Sequence, residues 1–425
     1  MNDIGNMQNV SSSETSDMDW SEKIMELADE ANVGYMFEID LEYPQTIHDY
    51  HDTYPLAPEH LTIKEEMLSL YQKKLAHKLD IKVGGEKLCL TLQDKCKYIC
   101  HYRNLKQYLE LGLKLKKVHR VLRFEQSPWL KDYIDLNTRL RQEANSKFEE
   151  DFAKLMNNSF FGKTCEDVKK YKDIKIVTGE KRAQKLINRP TFSRVKIYNE
   201  NLAAIQLRKQ QVLLNKPRYV GMTILNLSKL IMYDFHYKYI IPKYPGTKLL
   251  FTDTDSFCYW IPTDANIYDD MKNNDWMDFS NYNENHSNFH KKFKLIPGKF
   301  KDECAGVPIL EFVGLRAKMY SILRVDGNIK ATCKGVNTAV KREVLKHEHY
   351  KDTLKKNKTR MDTMIRIVQD EHQLYTVQTI KCSLSPYNDK KWISKERDEF
   401  QSYSFGHYKI NEEELIDIME ELCNS

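Results

Sequence analysis

The 425-residue sequence is marked first by what it lacks. No stretch approaches about 18 consecutive apolar residues, so no membrane-spanning helix is expected and a membrane partner is set aside. The N-terminus reads Met-Asn-Asp-Ile-Gly, without the charged-then-apolar pattern of a secretory signal. Tandem repeats are absent. Nine cysteines, an odd number without such a signal, point to free thiols in a reducing compartment. Cys89, Cys96, Cys100 and His101 do not have the spacing of a common zinc finger and read as ordinary packing residues. These features predict an intracellular protein, nuclear or cytoplasmic, that is not secreted.

What is present suits a globular chain with two or three domains: 41% hydrophobic and 11% aromatic residues. The net charge of +5 is modest but unevenly spread. Residues 103–123 hold seven Lys or Arg against one Glu, and residues 169–216 hold 13 against three acids. Such segments suit a phosphate backbone, although long basic side chains also solvate ordinary surfaces.

Two segments carry chemistry. Phe251-Thr-Asp-Thr-Asp-Ser256 lies between apolar, aromatic-rich runs and reads as a β-hairpin with Asp253 and Asp255 at or beside its turn. Paired carboxylates on a rigid tip can begin a Mg²⁺ site for phosphoryl transfer, and Asp and Thr are also common turn residues. Residues 148–163 have helical spacing, with Phe148, Phe152 and Leu155 on one face, expected to be buried. Lys154, Asn158 and Phe161 fall on another. An ammonium and a flat ring together suit a nucleoside triphosphate.

Together these segments resemble the B-family DNA polymerases. Lys154, Asn158, Ser159, Phe161 and Gly162 match the fingers pattern K-x-x-x-N-S-x-Y-G, with Phe161 in place of Tyr. Asp253, Thr254, Asp255 and Ser256 match the palm pattern Y-x-D-T-D-S, with Phe251 in place of Tyr. Gly314-Leu-Arg-Ala-Lys-Met-Tyr-Ser321 is similar to the K-x-Y signature that grips primer-template; as one strand it would put Arg316, Lys318 and Tyr320 on one face. The runs Gly34–Pro44, Asp52–Glu59, Gln126–Leu130 and Phe405–Lys409 look like the protein-primed branch found in self-synthesising transposons and related viruses.

The resemblance implies an α+β right-hand polymerase fold: a partial palm with an antiparallel sheet, helical fingers and a thumb. It implies DNA replication by a DNA-directed nucleotidyltransferase with a two-ion Mg²⁺ site, acting on primer-template DNA and dNTPs, with a terminal priming protein as a further partner. Asp255 would be the direct metal ligand and Asp253 a nearby carboxylate. Lys154, Asn158 and Phe161 would hold the nucleotide; Arg316, Lys318 and Tyr320 would hold DNA. The motif carrying the other palm carboxylate, D-x-x-S-L-Y-P or D-x-x-x-L-Y-G, has no match in residues 1–32, and Asp40-Leu-Glu-Tyr-Pro44 is two residues too short to be it. No exonuclease precedes the palm. The implied protein is therefore a C-terminal portion of a polymerase, a truncated copy or a gene prediction missing 5′ exons, with weak or no activity alone. The alternative is a non-catalytic nucleic-acid-binding remnant. An unrelated Asp-rich structural protein would require three ordered motifs to coincide.

Along the chain, residues 1–32 are polar and expected to be disordered. Residues 33–130 form a palm-proximal connecting region. Residues 131–205 hold the fingers helix and a basic insertion, residues 206–335 the palm with its hairpin, and residues 336–425 the thumb, helical at first and ending in a Glu-rich helix. Residues 264–285, with five Asp and one Glu, read as a solvated connector.

Overall fold

A computed structural model describes residues 8–10, 19–264, 266–272, 274–370, 373–396 and 399–411. The chain has mixed helix and sheet content, and among the described residues no helix is long and apolar enough to cross a membrane.

The main core forms on one strand. Val33–Glu42 alternates apolar and polar residues, so Tyr35, Phe37, Ile39 and Leu41 point inward while Glu38, Asp40 and Glu42 point outward. It lies between Lys95–His101 and Lys114–Glu125, antiparallel to both, and Gln8–Asn9 adds a short edge. The outer face is held by cross-strand polar pairs: Glu38 with Arg120, Asp40 with His119, and Glu42 with Lys114 and Lys116. The inner face packs under helices Tyr102–Glu110 and Arg218–Tyr233 and the latter's extension Asp234–Ile240, through Leu105, Tyr108, Tyr233 and Tyr237.

The N-terminal expectation of disorder fails at Trp20–Glu26. Asp19 caps this helix by accepting the amides of Ser21 and Glu22. Trp20 and Ile24 are buried in the main core, with Trp20 edge-on to Phe37 at 5.2 Å. Burying two such side chains contributes roughly 1.5–3 kcal/mol each, enough to order a short polar segment.

The long helical pattern divides into Lys131–Glu143 and Lys147–Thr164, because Ser146 caps the second helix in a reciprocal pair with Glu149. The apolar stripe expected to be buried is exposed: Phe148 is 78%, Phe152 53% and Leu155 59% accessible. The helix docks through its small and polar side instead. Ala153 and Thr164 are buried, Tyr133 Oη donates to the Met156 carbonyl, and Asn137 donates to Asn157. Gly221 on the neighbouring helix leaves no room for a Cβ beside Thr164 and Cys165. Close backbone approach won over burial of large side chains.

The basic insertion is a small unit with its own core. Strands Asp173–Val177, Leu202–Leu207 and Phe192–Asn199 lie in that order, and Val177, Ile205 and Leu207 pack against Leu186 of helix Glu180–Ile187. Residues 264–285 are more than a solvated connector, since Met271, Met277, Phe279 and Tyr282 are buried in a cluster with Phe235.

Among the described residues after 336, helices Val340–Val344 and His347–Lys356 are short. The chain then forms two hairpins, Arg360–Asp370 with Gln373–Leu384 and Trp392–Glu396 with Glu399–Tyr403. β-Branched residues such as Ile365, Ile367, Thr376 and Ile380 favour the pleated ribbon. Trp392 and Phe405 then pack with Ile63, Leu68 and Cys89, joining the C-terminal segment to the first hundred residues. The Glu-rich terminal segment from residue 412 lies outside the described residues.

Residues 43–58 are pinned by buried rings. Tyr43 Oη lies 2.8 Å from His51 Nδ1 and accepts the Leu56 amide, Tyr237 Oη donates to the Tyr54 carbonyl at 2.6 Å, and His236 Nδ1 lies 2.9 Å from Tyr259 Oη. Burial pushes the His51 pKa down to about 3 and that of His236 to about 4. Both rings are neutral in the folded chain, whereas the unfolded chain takes up their protons below about pH 6.5. Their contribution is full above that pH and is lost as pH falls through the folded values. Urea midpoints measured at pH 7 and pH 5 should therefore show lower stability at pH 5. The difference should be smaller in His51→Asn; an unchanged slope in that variant would assign the pH dependence elsewhere.

Candidate active site at two hairpin tips

The Asp-Thr-Asp segment forms the tip of a hairpin built by Lys248–Thr252 and Phe257–Trp260, with Thr252 opposite Phe257. Its two strands are anchored by Leu249 and Phe257, which pack against the main core. At the tip the Asp253 amide donates to the Ser256 carbonyl at 3.1 Å, and the Asp255 amide donates to the Asp253 carbonyl at 2.7 Å. This tight closure puts Thr254 at φ 61, a left-handed conformation that β-branched residues rarely adopt. Holding it costs on the order of 1–3 kcal/mol. The result is a tip on which Thr254 and Asp255 are exposed and Asp253 is half-buried.

The segment read as one strand carrying Arg316, Lys318 and Tyr320 is instead a second hairpin tip. Ile309–Arg316 turns through Ala317 and Lys318 into Met319–Arg324, with Arg316 opposite Met319 and Lys318 at φ 59. The three residues do not share a strand face: Arg316 ends one strand, Lys318 is in the turn, and Tyr320 is buried in the next strand. Alternating spacing cannot reveal a two-residue turn without Gly, Asn or Asp to mark it.

The two tips meet. Lys318 Nζ lies 3.1 Å from Asp253 Oδ1. Beneath this pair, the rings of Phe251 and Tyr320 stack at 4.1 Å and 20°, and Phe312 lies beyond Phe251 at 5.9 Å. A Cβ at Gly314 would lie 2.9 Å from the Phe312 ring, so a larger residue there would displace that ring. The structure thus brings together Asp253, Asp255, Lys318 and Tyr320. Phe251 and Phe312, which hold the hairpins together, were not among the expected site residues; an aromatic residue just before the Asp-Thr-Asp tip was the available signal.

The other expected residues stand apart. Lys154 and Asn158 are exposed and Phe161 is half-buried on helix Lys147–Thr164. They share a helix face, but among the described contacts none joins them directly to Asp253 or Asp255. Arg316 is exposed at the end of its strand.

Asp40 belongs to the outer face of the sheet. It accepts the Lys97 amide at 2.8 Å and pairs with His119 at 2.8 Å, and the amide and the imidazole hold its carboxyl below the usual range. The Asp253 hairpin packs through Leu249 and Phe257 against the core that the inner face of the sheet builds. Asp40 therefore faces away from the hairpin.

The donor set sets a limit on cation binding. Asp253 and Asp255 can hold one hard cation together with phosphate oxygens. Among the described residues, no group of three or more His, Cys, Asp or Glu converges on a point, so these side chains do not complete a cage for two ions.

Sequence reasoning also missed a buried constellation. Ser321 Oγ lies 2.9 Å from His347 Nδ1, and His347 Nε2 lies 3.3 Å from Glu311, which also pairs with Lys351. The order resembles a nucleophile, base and orienting acid. Ser321, however, is 0% exposed, so the network joins helix His347–Lys356 to the sheet rather than meeting a substrate.

The outward position of Asp40 has a direct consequence. Asp40→Asn should leave Mn²⁺ affinity, measured by electron paramagnetic resonance of free Mn²⁺, within about twofold of the parent, whereas Asp255→Asn should weaken it at least about tenfold. Loss of Mn²⁺ binding in Asp40→Asn would place that residue in the site after all.

Residues 32–242 match the family described as DNA polymerase type B, organellar and viral; the match ends before the Asp253 hairpin. No curated protein matches the chain significantly. Among solved structures, the chain is similar to Phi29 DNA polymerase complexed with primer-template DNA, at 14% identity and a TM-score of 0.40 over 88% of this chain and 63% of that one. It is also similar to the same polymerase complexed with primer-template DNA and incoming nucleotides, at 13% identity and a TM-score of 0.41 over 89% and 64%. The chain thus spans just under two thirds of the length of these polymerases. Residues 32–242, almost half of the chain, are thus similar to the type B DNA polymerases of the organellar and viral group.

Proposed function

We propose that this chain carries out template-directed DNA synthesis, as a DNA-directed nucleotidyltransferase of the protein-primed kind. The observation that carries this reading is the meeting of the Asp253 and Lys318 tips over the Phe251–Tyr320 stack, in a chain whose preceding segment matches the type B polymerase family. In this reading the sheet around Val33–Glu42, the Asp253 hairpin and the Lys318 hairpin are palm. Helix Lys147–Thr164 and the basic insertion after it are fingers, and the hairpins after residue 336 are thumb.

The chain's own residues divide the work. Lys154 would neutralise the triphosphate of an incoming dNTP. Asn158 and Phe161 would shape the space for its sugar and base. Lys318 and Arg316 would hold the primer-template backbone near the Asp253 tip, and Tyr320 would support that grip from the ring layer beneath. Asp253 and Asp255 would hold Mg²⁺, which when bound polarises phosphoryl oxygens and stabilises the charge that develops on them. Thr254, in its strained turn, keeps Asp255 presented to solvent. The further partner is a terminal priming protein, and the site of action is the nucleus or cytoplasm, as the cysteine usage of the sequence suggests.

A second reading is supported by a specific observation. Asp40 faces away, and the described carboxylates provide only one side of a two-ion cage. On that ground the chain would bind primer-template without efficient chemistry.

Two measurements test these readings. Fluorescence anisotropy with a short primer-template duplex should show binding independent of sequence. It should weaken steeply with salt, by at least about tenfold between 50 and 200 mM, because several phosphates are neutralised. Absence of binding, or binding indifferent to salt, would remove both readings. Primer extension by the 425-residue chain in Mg²⁺ should be at least about 100-fold slower than by a polymerase with a complete carboxylate set, because the chemistry depends on positioning. Robust extension that disappears in Asp255→Asn would reject the binding-only reading.

A further inference from the structure

Lys318 and Asp253 come from separate hairpins, and they touch where each backbone turns through a left-handed residue, φ 59 at Lys318 and φ 61 at Thr254. Their side chains are 50% and 35% exposed, so both ends of the ion pair remain open to ligands. The spacing of the hairpins does not depend on the pair, because the Phe251–Tyr320 stack sets it one layer below. The ammonium can therefore leave the carboxylate without the tips separating.

Two ligands of opposite charge address this pair. A hard divalent cation takes carboxylate oxygens. A nucleic-acid phosphate takes an ammonium. While paired, each partner is partly neutralised toward its outside ligand. Whichever ligand binds first breaks the pair and frees the other half.

We infer that Lys318 exchanges between Asp253 and a DNA backbone phosphate, so that a divalent cation at the Asp253–Asp255 tip and DNA at Lys318 reinforce each other's binding. This inference rests on the polymerase reading above. The coupling is reciprocal by linkage, and for a half-exposed ion pair it amounts to about two- to fivefold in affinity. Its sign separates it from simple screening, since divalent cations otherwise weaken protein–DNA binding.

The experiment titrates Ca²⁺ into the full chain with a fluorescent primer-template duplex at constant ionic strength. Ca²⁺ should tighten binding by the parent about two- to fivefold, and Lys318→Met should lose that response. Asp253→Asn should bind DNA about two- to fivefold more tightly than the parent without Ca²⁺, and the double variant Asp253→Asn/Lys318→Met should lose this gain. Without DNA, Lys318→Met should bind Mn²⁺ more tightly than the parent, because a competitor for Asp253 has gone. A Ca²⁺ response that survives in Lys318→Met, or a gain in Asp253→Asn that survives in the double variant, would overturn the exchange while leaving DNA binding intact. Failure of the parent to bind the duplex under any condition would instead overturn the polymerase reading. The Mn²⁺ comparison would then decide the exchange at its metal end, with equal affinities in parent and Lys318→Met refuting it.

Discussion

The inward face of Val33–Glu42 is the surface on which the rest of the molecule is assembled. Phe37, Ile39 and Leu41 are almost fully buried. In the core they share lie the tyrosines of Arg218–Tyr233 and its extension and the first helix through Trp20, and the Asp253 hairpin packs against that core through Leu249 and Phe257. Polar tips such as Asp253–Ser256 contribute little packing of their own, so their position is inherited from what their stems bury. Removing even one of these inward side chains would cost about 2–5 kcal/mol and would loosen the base of the hairpin as well as the sheet. The site is thus coupled to the core by apolar contact rather than by its own charges.

At the site the favourable terms are small and the strain is local. Thr254 and Lys318 both occupy backbone conformations unusual for their side chains. The Lys318–Asp253 pair is half exposed and worth at most about 1 kcal/mol. The stacked rings of Phe251 and Tyr320 add about 0.5–1.5 kcal/mol beyond their buried area. Rings, rather than the ion pair, hold the hairpins in register. That ordering of magnitudes leaves the charged groups free to change partners while the geometry beneath them persists.

Local patterning made parts of this structure legible in the sequence. The alternation in Val33–Glu42, the hairpin around Asp253 and the insertion strands Asp173–Val177 and Phe192–Asn199 follow their residue periodicity. Other features depend on contacts no window contains. Trp20 orders a polar segment because Phe37 is waiting for it. Phe148, Phe152 and Leu155 stay exposed because Gly221 lets the helix dock on its small side. Lys318 sits in a turn because Arg316 pairs with Met319, with no glycine to announce it. The Ser321–His347–Glu311 network draws on two strands and a helix, and only the assembled sheet reveals it.

The fate of Asp40 follows from the same alternation that builds the core. Once Ile39 and Leu41 point inward, Asp40 must point outward, and a one-residue slip would bury three acids and expose the core. His119 and the Lys97 amide then hold the carboxylate where it stands. Turning Asp40 toward the Asp253 tip would mean giving up both partners and the register of a central strand, which far exceeds what one more ligand to a cation returns. The carboxylates proposed to hold a cation are therefore those of the Asp253–Asp255 tip, and Lys318 is the charge that meets Asp253.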